Sequence, residues 1–162
     1  MKDNVWLTYD EKDVEELEKL SDEYKAFLSR CKTERECTAY FTKEAEKAGY
    51  RSLDTLISEG VSLKEGDKVY AVGMGKTIAL FQIGRKPVTD GMNILCAHID
   101  SPRLDLKQVP LYEDTELAFL DTHYYGGIKK YQWVTIPLAL HGVIAKKDGS
   151  VVEVNIGESP ED

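Results

Sequence analysis

His98-Ile-Asp100 sets an imidazole and a carboxylate two residues apart at the end of an apolar run, Asn93–Ala97. In a β-strand, residues i and i+2 point to the same side, so these two groups can approach one point in space. A neutral imidazole is a natural zinc ligand, and a nearby carboxylate can orient the ring and raise its basicity. Ser101-Pro102 would break the strand and hold Asp100 at its rim. Taken alone, the triplet leaves two readings open, a metal-binding pair or a polar pair at a strand end. A catalytic zinc generally takes three protein ligands, so two cannot hold one.

The remaining chemistry-bearing residues are less ordered in their spacing. His123 in Thr122-His-Tyr-Tyr-Gly-Gly127 and His141 in Leu140-His-Gly142 have no second ligand-type residue at a typical spacing, and read as surface or strand histidines. Gly73-Met-Gly-Lys-Thr77 resembles the end of a phosphate-binding loop. That loop needs a glycine where this chain has Tyr70, and a helix after Lys-Thr whose N-terminus faces the phosphates. Ile78-Ala-Leu-Phe81 reads instead as a strand, which makes Gly73–Gly75 a hairpin turn. No Gly-x-Ser-x-Gly elbow marks a serine nucleophile. Glu113-Asp114 and Glu158–Asp162 read as solvated acidic loops.

Composition narrows the function classes. The chain has 162 residues, of which 42% are hydrophobic, enough for a packed core. A net charge of −8 argues against a nucleic-acid partner, which would need a basic stripe to neutralise phosphates. It argues equally against a basic membrane-surface helix. Apolar runs are too short for a transmembrane helix, and Met1–Asp13 lacks the apolar stretch of a secretory signal. Three cysteines, Cys31, Cys37 and Cys96, with no Cys-x-x-Cys pair, fit reduced thiols in a cytoplasmic protein. All three are expected to be buried or half-buried.

The elements that must position these residues follow from periodicity. Val14, Leu17, Leu20, Tyr24, Phe27, Leu28 and Cys31 recur at three- and four-residue steps and predict one amphipathic helix. Thr33 and Glu36 form a capping box for a second, with Cys37, Tyr40, Phe41 and Ala48 on its apolar face and Gly49 as its stop. Both stripes are expected to pack on a sheet. Lys68–Val72, Ile78–Ile83 and Met92–Ile99 predict strands, the last apolar on both faces and therefore central. Val134–Ala145 and Val151–Ile156 predict two more, joined by the turn Lys147-Asp-Gly-Ser150.

The wording of the central segment adds more than its periodicity. Ala97-His-Ile-Asp-Ser-Pro-Arg-Leu-Asp-Leu-Lys107, then Pro110-Leu-Tyr-Glu-Asp114 and Tyr124-Tyr-Gly-Gly-Ile-Lys-Lys-Tyr-Gln-Trp133, strongly resemble the M18 metalloaminopeptidases, in particular their bacterial branch. The resemblance extends to the helical N-terminus and to Gly73–Gly75. It implies an α/β catalytic domain of the phosphorylase/hydrolase-like zinc peptidase type, with N-terminal helices packed on a mixed sheet and an inserted β-rich assembly domain. On that pattern, residues 1–109 belong to the catalytic domain and residues 110–162 begin the insert.

The same resemblance implies that His98 is a metal ligand and that Asp100 assists the metal site as a catalytic residue. The implied cofactor is Zn2+, two divalent ions per active site, with Co2+ or Mn2+ possible. Two metals about 3.5–4 Å apart can polarise a scissile carbonyl and activate a water. The implied substrates are peptides with a free N-terminus, and the complete enzyme is expected to be a cytoplasmic homo-oligomer. The bridging Asp, the Glu-Glu pair and the late His of the family have no counterpart here. Glu153 and Glu158 match no motif. The chain is therefore expected to be a truncated, inactive N-terminal portion with exposed apolar faces. The competing readings are a non-catalytic β-rich binding or assembly module and a nucleotide-binding protein using Gly73–Thr77.

Overall fold

The structure, a computed structural model, describes residues 4–160. The chain divides into two compact units, one ending at Met92 and the other beginning at Asn93.

In the first unit, α1 (Glu11–Arg30) starts at a capping box. The Asp10 carboxylate accepts from the Asp13 N–H at 2.9 Å, and the Asp13 carboxylate accepts from the Asp10 N–H at 3.1 Å. Helix α2 (Glu34–Lys47) starts at the predicted one. The Thr33 hydroxyl accepts from the Glu36 N–H, and Glu36 Oε2 accepts from the Thr33 N–H at 2.8 Å. Each box satisfies two of the backbone donors that a helix start leaves unpaired. Helix α2 gives way at Ala48 to Gly49, whose φ of +86° is the left-handed conformation that glycine adopts without a Cβ penalty.

A short strand β1 (Arg51–Ser52) and a six-residue helix α3 (Leu53–Ser58), neither foreseen from the sequence, lead to the hairpin β2 (Lys68–Gly73) and β3 (Thr77–Gln82). The sheet order is β1-β2-β3, with β1 parallel to β2 and β2 antiparallel to β3. The buried core consists of Cys31, Cys37, Thr38, Ala45, Leu56, Val69 and Tyr70. Large apolar side chains such as Leu56 and Val69 contribute about 1.5–3 kcal/mol each on burial. Tyr70 keeps its polar end satisfied by donating to the Glu46 carboxylate at 2.7 Å. Helix α2 packs on β2 and β3, as expected. Helix α1 does not pack on a sheet. None of its residues is buried, and its stripe meets α2 through Phe27, whose ring centroid lies 5.0 Å from those of Tyr40 and Phe41. Leu20, Tyr24 and Leu28 remain exposed.

In the second unit, residues 93–102 carry no regular secondary structure. The expected central strand Met92–Ile99 is therefore corrected to an irregular, largely exposed segment, with Leu95 fully exposed. A central strand needs a hydrogen-bonded neighbour on each edge, and no described strand pairs with this segment. Cys96 is exposed for the same reason, against the expectation of burial, whereas Cys31 and Cys37 are buried.

Strands β4 (Arg103–Asp114) and β5 (Leu117–Tyr125) form a long antiparallel hairpin that runs through position 109/110. Its turn holds Thr115 and Glu116 at φ +51° and +64°, the positive pair that a tight two-residue hairpin turn demands. The register shifts between Leu106 and Leu111, around Pro110, which has no N–H to give to a ladder. After a single helical turn α4 (Lys130–Trp133), β6 (Leu140–Ala145) and β7 (Val151–Ile156) form a second hairpin. The predicted turn is present, with Gly149 at φ +84° and the Lys146 N–H donating to the Ser150 carbonyl at 2.8 Å. The strand expected over Val134–Ala145 is confined to its last six residues, because Pro137 interrupts the earlier half. No described residue from 93 onward is buried.

Replacing Thr33 by Ala removes one half of the α2 capping box. The expected outcome is a loss of about 1 kcal/mol, seen as a lower urea midpoint with an unchanged slope. An unchanged midpoint would contradict the role given to the cap.

Candidate metal centre

His98 and Asp100 do come together, though not through strand alternation. The imidazole folds over the backbone that follows it, and Nδ1 lies 2.8 Å from the Asp100 carbonyl oxygen and 3.4 Å from its Oδ1. A carbonyl oxygen only accepts, so the proton of a neutral ring resides on Nδ1. The lone pair of Nε2 is then left for another partner, and the imidazole is mostly exposed to solvent. A hydrogen bond from one ring nitrogen to a carbonyl is the usual way a ligating histidine has its tautomer fixed.

The Asp100 carboxylate is held from the far side. Its Oδ2 accepts from the Tyr125 hydroxyl at 2.9 Å, the last residue of β5. That bond, more than any other contact, keeps the Asp100 carboxyl below the ordinary carboxylate range, with its own backbone N–H acting in the same direction. Tyr125 faces Arg103 across the ladder, and the guanidinium carbon sits 4.2 Å from the ring centroid. Arg103 Nε in turn donates to Asp105 Oδ1 at 2.6 Å. Gly126 lies against Pro102, where an added Cβ would make only ordinary contact, 3.4 Å from the proline Cα, while its φ of +70° is the left-handed conformation that favours glycine. Tyr125 and Arg103 belong to no motif that marks them as site residues in the sequence. The signal for them was the β4–β5 register, which places the end of β5 opposite the residues that follow Asp100.

The other candidates do not join this site. His123 is exposed on β5, with Nδ1 3.5 Å from the Tyr124 carbonyl oxygen. His141 on β6 has a largely covered side chain and Nε2 3.1 Å from Glu158 Oε1, so Glu158 is tied to a strand rather than solvated alone. Gly73–Thr77 forms the β2–β3 turn, with the Lys76 N–H donating to the Gly73 carbonyl at 2.9 Å, and a strand rather than a helix follows it. The buried thiols are poor nucleophiles, since burial pushes Cys37 up to about 11 and raises Cys31 as well. Among the described residues, no group of three or more His, Cys, Asp or Glu is placed to hold a metal ion. No described helix is long and apolar enough to cross a membrane.

A family model described as aminopeptidase I zinc metalloprotease (M18) matches residues 27–161. The chain belongs to the M18 family. It is 60% identical over 159 residues to "Probable M18 family aminopeptidase 1" of Clostridium acetobutylicum, a match covering 98% of this chain and 34% of that protein. The crystal structure of aminopeptidase I from Borrelia burgdorferi B31 superposes with a TM-score of 0.89 at 43% identity, over 99% of this chain and 39% of that one. The crystal structure of the M18 aminopeptidase from Thermotoga maritima gives 0.87 at 43% identity, over 100% and 34%. The chain thus spans about a third of the length of the curated relatives it matches.

The donor chemistry of His98 is compatible with zinc. A neutral imidazole with its tautomer fixed through Nδ1 offers a nitrogen of the kind zinc takes, and an ionised carboxylate stands behind it.

The hairpin geometry of Gly73–Thr77 predicts that saturating ATP with magnesium leaves the thermal midpoint of this chain unchanged. A nucleotide bound at a hundred times its Kd would add about 2.7 kcal/mol, a shift of several degrees. Such a shift would revive the nucleotide-binding reading.

Proposed function

We propose that the chain supplies one zinc ligand, His98, and an assisting carboxylate, Asp100, to an aminopeptidase that hydrolyses the N-terminal residue from peptides. The observation that carries this reading is the bond from His98 Nδ1 to the Asp100 carbonyl, in a chain of a zinc metalloprotease family. Zinc bound at such a centre would supply Lewis-acid polarisation of the scissile carbonyl and would lower the pKa of a bound water to about 7.

The chain's own residues prepare that chemistry. The Asp100 backbone holds the proton of His98 on Nδ1 and so presents Nε2. The Asp100 carboxylate, held by the Tyr125 hydroxyl, places a negative charge beside the imidazole and favours its electron-donating character. The full-length protein on this reading needs its further ligands and its general base from segments outside these 162 residues, binds two divalent ions, and acts on peptides with a free N-terminus. Residues 110–162 on the same reading open an inserted β-rich domain used in homo-oligomer assembly, which would cover the apolar faces left exposed on the two hairpins. A cytoplasmic location belongs to the same proposal.

In the full-length protein, His98→Ala is expected to lower zinc content and turnover together by tenfold or more. Unchanged zinc stoichiometry with unchanged turnover would sink the assignment. Asp100→Asn keeps the size of the side chain and should leave the thermal midpoint in place while lowering kcat by about 10- to 100-fold. Wild-type kcat in that variant would remove Asp100 from the site.

A further inference from the structure

We propose that Tyr125 is a positioning residue of the metal centre: its hydroxyl sets the orientation of the Asp100 carboxylate, and the Arg103 guanidinium fixes its ring. The inference rests on the role proposed for Asp100 and extends it to a residue on a different strand.

Four contacts build the device. Tyr125 donates to Asp100 Oδ2 at 2.9 Å, which occupies one carboxylate oxygen and leaves Oδ1 turned toward His98 at 3.4 Å. The ring is caught by Arg103, 4.2 Å from its centroid, and Arg103 is itself anchored to Asp105 at 2.6 Å. Cross-strand pairing of Arg103 with Tyr125 places both side chains on one face of the hairpin, so the stack is set by backbone register. A carboxylate on an irregular segment would otherwise be free to rotate about its side-chain torsions. Asp100 is the case in point, because residues 93–102 contribute no ladder of hydrogen bonds to hold it. Tying it to the end of β5 makes its orientation depend on a hairpin rather than on the segment that carries it. Partners of this kind, one step removed from the metal, typically alter affinity or activity by about 10- to 100-fold when lost.

The test uses the full-length, zinc-loaded protein and the variants Tyr125→Phe, Asp100→Asn and the double variant. Two quantities are read on each: kcat and KM on a peptide substrate, and the apparent zinc Kd by competition with a chelator. Tyr125→Phe keeps the ring for Arg103 and removes only the hydroxyl. It is expected to lower kcat about tenfold with KM unchanged, to weaken zinc binding, and to leave the thermal midpoint in place. In the Asp100→Asn background the same change should cost nothing further, because the hydroxyl acts through the carboxylate. A Tyr125→Phe protein with wild-type kcat and zinc Kd would overturn the inference while leaving Asp100 in its role. A loss in Tyr125→Phe that adds in full to that of Asp100→Asn would also overturn it, since Tyr125 would then act elsewhere. Should Asp100→Asn itself change neither quantity, the reading of Asp100 fails and the inference falls with it.

Discussion

The pairing of Arg103 with Tyr125 is the constraint on which the candidate site depends. It joins the start of β4, directly after the His98–Asp100 segment, to the end of β5. A slip of one residue in that register would turn Tyr125 to the opposite face of the hairpin and withdraw its hydroxyl from Asp100. The bulge around Pro110 absorbs the mismatch between the longer β4 and the shorter β5, so the distal turn and the proximal pair can both be in register. His98 and Asp100 thus lie on an irregular segment, while Tyr125, which bonds Asp100, lies on a regular one.

Much of the first unit was legible because its signals are local. The Thr33–Glu36 capping box, the Gly49 stop and the Gly73–Gly75 turn each follow from a few adjacent residues and a fixed backbone requirement. The second unit was less legible for the opposite reason. Asn93–Ala97 has the composition of a central strand, but strands form through partners, and no described strand pairs with it. The β4–β5 hairpin turns on Thr115-Glu116, residues that do not advertise positive φ in a sequence. The site shows the same split. His98 and Asp100 were visible as a pair, but their contact runs through the Asp100 carbonyl, and the third member, Tyr125, is reached only through strand register.

Burial separates the two units further. The residues removed from solvent belong to the first, where α2 and α3 cover a three-stranded sheet. The hairpins of the second are held by backbone ladders and cross-strand pairs such as the stacked Tyr112 and Phe119, and keep most of their large apolar side chains exposed. Contiguous exposed apolar patches are, in general, where a further surface docks. In a family whose curated relatives are about three times as long as this chain, further protein to cover those surfaces is part of the reading proposed above.

On the proposed reading, His98 ligates zinc through Nε2 while Nδ1 stays bonded to the Asp100 carbonyl. Anomalous diffraction at the zinc edge from crystals of the full-length, zinc-loaded protein tests it directly. The expected result is a zinc peak about 2.0–2.1 Å from His98 Nε2, with Nδ1 still in hydrogen-bond reach of the Asp100 oxygen. A peak on Nδ1, or zinc bound with His98 outside its coordination, would contradict it.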